Sequence, residues 1–137
     1  MEKILQLRDA KNTILEYDKD ALILVEPKPN EPIDRSYCGT VGHALGLGAY
    51  TVDPGRVGVC IESAHSILAG LDPANDLAYA IALGKLWGVH LNDQNGMKYD
   101  QDKAFGVDNL RQAFNQVKVL YENNFSDNGK MELLMNG

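Results

Sequence analysis

The sequence predicts an α/β fold of parallel βα units, and three observations lead there. Short apolar runs at 21–25 (ALILV), 57–61 (VGVCI) and 87–91 (WGVHL) lack the polar alternation of a half-exposed strand, as strands buried on both faces of a parallel sheet do. Helical patterns separate the runs. The runs recur about 30 to 36 residues apart, room for one helical crossover each. Successive units of this kind connect right-handedly and build a parallel sheet.

The elements follow in order. Residues 1–18 read as an amphipathic helix with Ile4, Leu7, Ile14 and Leu15 near one face. The first strand stops at Glu26-Pro27-Lys28-Pro29, where two prolines end both helix and sheet. Residues 40–50 read as a helix weakened by Gly42, Gly46 and Gly48, and Asp53-Pro54-Gly55 is a turn. The second strand ends at Glu62. Asp72-Pro73 opens a helix expected over 73–86. After the third strand a polar loop runs from Asn92 to about Gly106. Asp108 then caps a helix over 109–123, with Leu110, Phe114, Val117 and Leu120 expected on its buried face. Met131 to Met135 reads as the start of a fourth strand.

At 137 residues the chain has single-domain length. A complete eightfold barrel takes about 250 residues, so this order of elements makes either an open sheet or a piece of a barrel. Thirteen Lys and Arg stand against nineteen Asp and Glu, for a net charge of −6, and no basic cluster exists. That balance argues against a nucleic-acid partner. Cys38 and Cys60 lack any paired spacing, which points to a reducing compartment without a disulfide framework. The charged N-terminal stretch lacks a signal-peptide core, and no apolar run nears the roughly 20 residues of a membrane span. A cytoplasmic location and no membrane partner are the expectation.

The chemistry gathers at strand ends. The first strand ends in Glu26, with Lys28 two residues on. The second ends in Glu62, with His65 three on. The third carries His90, then Asn92 and Asp93, and the following loop holds Asp100 and Asp102. Sites in parallel α/β folds lie at the C-terminal strand ends, so these groups converge. Crowded carboxylates need a cation to neutralise them. Oxygen donors with one or two imidazoles suit Mg, Mn or Co better than a structural zinc, for which Cys38 and Cys60 look poorly placed. Taken singly, each residue has an ordinary reading. Glu26 is a solvated strand end and Lys28 a surface partner of Glu31. His65 and His90 are core imidazoles, and Asp100 and Asp102 are turn formers. Trp87 and Phe105 read as packing residues.

Several longer segments carry more. EPKPNEP (26–32), TVGHAL (40–45), GV-x-x-E-x-x-H-x-x-x-AGL (58–71), GKL (84–86) and LN-x-Q-x-G-x-KYDQD-x-x-FG (91–106) together resemble the xylose (glucose) isomerase family, in order, over about residues 22–115. The resemblance implies the C-terminal half of a TIM (β/α)8 barrel: 1–137 as one partial-barrel domain, with a preceding helix, strands five to seven, and the start of strand eight. It implies an aldose–ketose isomerase that uses two divalent cations (Mg, Mn or Co) in a 1,2-hydride shift on a monosaccharide. Residue by residue, Glu26 resembles a ligand of the first metal and Glu62 the bridge between the two. His65, Asp100 and Asp102 resemble ligands of the second, catalytic metal. Lys28 resembles the cation on the sugar carbonyl, which makes Lys28, His65 and Asp102 the catalytic candidates, and Glu31 resembles a residue that orients the site.

Two departures stand out. His90 occupies a position where xylose isomerases carry a metal-binding Asp. Rhamnose isomerases use His at that point, so His90 remains a first-metal candidate and the sugar is open, with 6-deoxy and other rare hexoses in view. The strand-eight Asp and the N-terminal half of the barrel have no counterpart in the 137 residues. The chain is therefore expected to be inactive alone and to form a homo-oligomer or join a partner that supplies the missing half. The rivals are another metal enzyme on the same barrel, such as an epimerase, dehydratase or endonuclease, and a non-catalytic truncated fragment or assembling subunit.

Overall fold

A computed structural model describes residues 2–30 and 36–125, and the backbone of 132–135. The chain runs α1 (Glu2–Tyr17), β1 (Ile23–Val25), α2 (Val41–Ala49), a 3-10 turn (Pro54–Arg56), β2 (Val57–Glu62), α3 (Ser63–Leu68), α4 (Pro73–Ala82), β3 (Leu86–Leu91), α5 (Leu110–Glu122) and β4 (Glu132–Met135). The four strands form one sheet in the order β1-β2-β3-β4, and every pair is parallel. Sheet order thus follows chain order without the reversal that marks a doubly wound sheet. The expected fourth strand is present, beside β3.

Alternation along the strands, broken once by a register irregularity between Val59 and Cys60 where β2 pairs with β3, sorts the two faces. Val59, Ile61, Leu86, Val89 and Leu91 join Val41 and Ala44 of α2, Leu77 and Ala80 of α4, and Leu120 of α5 in the buried core. The other face carries Leu24, Gly58, Cys60 and Gly88. A Cβ at Gly58 would meet the Trp87 indole at 2.1 Å, and one at Gly88 would sit 3.0 Å from Cys60 Sγ and 3.4 Å from Leu24. Trp87 is therefore a packing residue, as expected, and lies across Gly58. Phe105 packs against the core as well.

The helix ends show how local sequence sets the boundaries. Thr40 caps α2 by accepting from His43 N, and Asp72 caps α4 by accepting from Ala74 N. The helix expected over 73–86 stops at Ala82 instead. Gly84 takes φ +64°, Gly84 N donates to Ile81 O and Lys85 N to Ala80 O, which is the paired closure of a Schellman motif. The short α3, which the sequence reading did not anticipate, ends the same way. Gly70 at φ +75° and Leu71 donate to Ile67 O and Ser66 O.

Three expectations need correction. β1 begins at Ile23, not Ala21. Asn109, not Asp108, caps α5, by accepting from Gln112 N, while Asp108 pairs with Lys103 at 2.6 Å. The buried face of α5 is Ala113, Gln116 and Leu120, whereas Leu110, Phe114 and Val117 are exposed. Ser63 Oγ explains the rotation: it donates to Gln116 Oε1 at 2.5 Å and draws the polar side of the helix against the strand ends. On α1 only Leu15 is buried, and Ile14 is half exposed. Arg56 anchors that helix by donating to the carbonyls of Leu15, Asp18 and Ala21. Among the described residues no helix is long and apolar enough to cross a membrane.

Candidate metal centre

The same alternation that buries Val59 and Ile61 against the helices turns Cys60 and Glu62 to the other face. Glu62 pairs in register with His90, and Glu26 follows β1 directly. Three neighbouring strands therefore deliver Glu26, Glu62 and His90 to one spot at the C-terminal edge of the sheet. α3 starts immediately after β2 and brings back His65, whose side chain is 7 % exposed.

The distances bind these groups into one network. His65 Nδ1 lies 3.5 Å from Glu26 Oε1, and its Nε2 lies 3.4 Å from both Glu62 Oε1 and Asp100 Oδ2. His90 Nδ1 lies 3.4 Å from Glu62 Oε2 and 3.8 Å from Glu26 Oε1. Lys28 Nζ pairs with Asp100 Oδ2 at 2.8 Å. Lys28 thus answers Asp100 across the loop; its suggested partner Glu31 lies outside the described residues, as does any orienting role for that glutamate. Asp102 reaches the cluster through Asn92, whose Nδ2 donates to both Asp102 Oδ1 and Glu62 Oε1 at 2.8 Å. Asp102 also holds φ +47°, an uncommon backbone for a residue with a Cβ.

All the residues singled out in the sequence at these strand ends come together except as follows. Asp93 turns away. It accepts from Gln94 N with one oxygen and from Asp108 N and Asn109 N with the other, closing the loop onto the start of α5. Asp100 and Asp102 stay outside the two tightest donor groups, which are Glu26–Glu62–His65 and Glu26–Cys60–His90, each with donor atoms within 4.8 Å of one another.

The sequence places Asn92 among the converging strand-end groups without a specific task, and in the structure it is the hub. It is 1 % exposed, and its Oδ1 accepts from Ala64 N, so it caps α3 while its amide holds two carboxylates. Cys60, weighed in the sequence only against a structural zinc, lies in one donor group with Glu26 and His90. The available signal was strand parity, because Cys60 lies two residues before Glu62 and shares its face. Gln94 is a third omission. It is buried, and neither side-chain amide atom finds a hydrogen-bond partner among the described residues.

Electrostatics follow from the crowding. The Glu26 carboxyl is pushed up from 4.5 to about 7, first by burial and then by the adjacent Glu62, against smaller opposing pulls from His90 and Lys28. Burial also pushes Asp100 upward, but Lys28 and His65 outweigh it and hold the carboxyl below its usual range. Adjacent acidic groups, one of them displaced toward neutrality, call for a cationic partner. Among the described residues, His65 Nδ1 is buried without a hydrogen-bond partner at the same place. Carboxylate oxygens and imidazole nitrogens converging there fit a divalent cation.

The chain is 42 % identical over 107 residues to a xylose isomerase of Streptomyces lividans, covering 78 % of this chain and 27 % of that protein. It is 40 % identical over 119 residues to a xylose isomerase of Thermus thermophilus, covering 83 % of this chain and 30 % of that protein. The chain is xylose isomerase-like. It spans less than a third of the length of these curated relatives. No family model matches it.

Proposed function

We propose that the chain is the metal-binding portion of an aldose–ketose sugar isomerase. In this reading β1 to β3 are strands five to seven of a (β/α)8 barrel and β4 begins strand eight. The observation that carries the proposal is the meeting of Glu26 and Glu62, from two neighbouring strand ends, with buried His65 of α3, in a chain similar to xylose isomerases. The uninterrupted β1-β2-β3-β4 order supports the barrel.

Glu26, Glu62 and His90 would hold one divalent cation, and Glu62, His65, Asp100 and Asp102 a second, with Mg, Mn or Co as the metals. Such cations neutralise the carboxylates and polarise the oxygens of a bound sugar. The chain's own residues do the rest. Lys28 presents its ammonium to the carbonyl oxygen and stabilises charge developing there. In the present arrangement Asp100 holds that ammonium in position. Asn92 keeps Glu62 and Asp102 oriented from behind, as outer partners of metal ligands do. The hydrogen passes from C2 to C1 with its electron pair while the O2 proton passes to O1. No protein base at carbon is then required, which suits a site whose carboxylates face cations. His90 in place of an acidic ligand leaves the sugar open, with 6-deoxy and other rare hexoses in view beside xylose.

A second reading concerns assembly. Leu110, Phe114, Val117 and Tyr121 form an exposed apolar stripe along α5, and Leu24 is 42 % exposed on the sheet face opposite the core. Apolar surface of this kind favours association. The chain is expected to form a homo-oligomer or to join a partner that completes the barrel, in a cytoplasmic setting, and as an isolated non-catalytic subunit to show little turnover.

Titration of the metal-stripped chain with Mn or Co, followed by thermal unfolding, tests the central claim. Saturation at a hundredfold Kd stabilises by about 2.7 kcal/mol. Glu62→Ala and Asp100→Ala should abolish the response, and a panel of aldoses should be screened with the assembled protein. A chain that ignores every divalent ion refutes the metal assignment. A monodisperse monomer in light scattering refutes the assembly.

A further inference from the structure

We propose that Glu26, Cys60 and His90 form a carboxylate–thiolate–imidazole site selective for borderline metals such as Zn or Co over Mg. The inference rests on the reading that Glu26 and His90 hold a cation, and adds the sulfur donor that decides which one. Cys60 is 2 % exposed in the middle of β2, and its Sγ lies within 4.8 Å of a Glu26 oxygen and a His90 nitrogen. Gly88 makes the room, since a side chain there would begin 3.0 Å from Sγ. Cys38 does not enter either donor group.

A second observation points to the same spot. His65 Nδ1 is buried without a hydrogen-bond partner among the described residues and faces Glu26 Oε1 at 3.5 Å, and His90 Nδ1 faces that oxygen at 3.8 Å. Two imidazoles therefore face one oxygen of the carboxylate, and the thiol lies within 4.8 Å of an oxygen of the same group. Three donors at 4.8 Å from one another have a centre about 2.8 Å from each. Zinc bonds of about 2.0 to 2.3 Å require each donor to close by roughly 0.6 Å, within the reach of small rotamer adjustments. Glu62 Oε2, 3.4 Å from His90 Nδ1, is available as a fourth donor. Mg demands octahedral oxygen and holds its waters, whereas thiolate and imidazole favour Zn and Co. The ordinary alternative is that Cys60 is a small buried apolar residue.

The test is spectroscopic. The full chain carrying Cys38→Ser is reduced, stripped of metal and titrated with Co under anaerobic conditions. The proposal expects a near-ultraviolet sulfur-to-cobalt charge-transfer band and intense visible bands of tetrahedral coordination. Zn should erase them stoichiometrically, and a large excess of Mg should not. In the Zn-loaded chain, X-ray absorption should find one sulfur scatterer at about 2.3 Å. Adding Cys60→Ser should remove the band and weaken Zn binding at least about tenfold. Co binding without the band, or Zn without a sulfur scatterer, overturns the sulfur site and leaves the isomerase reading in place. No binding of Co or Zn overturns the sulfur site, and no binding of any divalent ion, Mg and Mn included, overturns both. The absorption measurement needs no variant at position 60, so misfolding of that variant cannot mask the answer.

Discussion

Removing the Glu26 charge should stabilise the metal-free chain at alkaline pH while impairing its metal response. The carboxyl is raised from 4.5 to about 7, chiefly by burial and by Glu62. A folded state that holds a proton more tightly than the unfolded state loses stability as pH rises between those values. The benefit is fully present below about 4.5 and gone above about 7. The displacement corresponds to at most about 3.4 kcal/mol. The Glu26 side chain is 38 % exposed, so water screens the repulsion and the realistic cost is about 1 to 2 kcal/mol. Glu26→Gln carries no charge at any pH and escapes that cost. Urea unfolding in chelator should therefore show little difference near pH 4.5 and a variant about 1 to 2 kcal/mol more stable near pH 8. Adding Mn or Co near pH 8 should reverse the order, because wild type gains a ligand and the variant does not. A variant less stable than wild type near pH 8 in chelator, or a difference independent of pH, would refute this account of the carboxylate pair.

Gly58→Ala places a methyl 2.1 Å from the Trp87 ring and should cost about 1 to 3 kcal/mol, read by urea unfolding together with a shift in the fluorescence of the single tryptophan. Arg56→Ala removes three donations to carbonyls at and beyond the end of α1 and should cost about 1 to 3 kcal/mol, with amide exchange in α1 rising before that of β2. Asp93→Ala strands the amides of Gln94, Asp108 and Asn109 and should cost about 1 to 3 kcal/mol; unchanged proteolysis within 94–108 would show that this carboxylate does not close the loop.

Some of the site was legible before any coordinates. Glu26, Glu62 and His90 were readable because each ends or closes an apolar run, and parallel strands bring such ends together. The Gly70 and Gly84 stops were present in the sequence as glycines past apolar helices, yet the second helix was drawn four residues too long, since Leu83 and Leu86 continue its apolar character. The α5 face was misread for a different reason. Leu110, Phe114 and Val117 outweigh Gln116 in any hydrophobic pattern, and a buried glutamine is favoured only by its specific partner, Ser63, which lies 53 positions away. The place of Cys60 beside Glu26 and His90 follows from strand parity, which thiol spacing does not report.

The sequence by itself determined the βα order, the parallel pairing it requires, the helix start at Asp72-Pro73, and the strand-end chemistry. Those follow from periodicity and from short-range hydrogen bonding, which act between neighbours along the chain. Tertiary structure alone decided that Asn92 joins a helix cap to two carboxylates, that Lys28 answers Asp100, and that Cys60 faces Glu26 and His90. Each of those contacts spans ten or more residues, and only the packing of strand on strand sets the distance over which such groups attract, repel or share a cation.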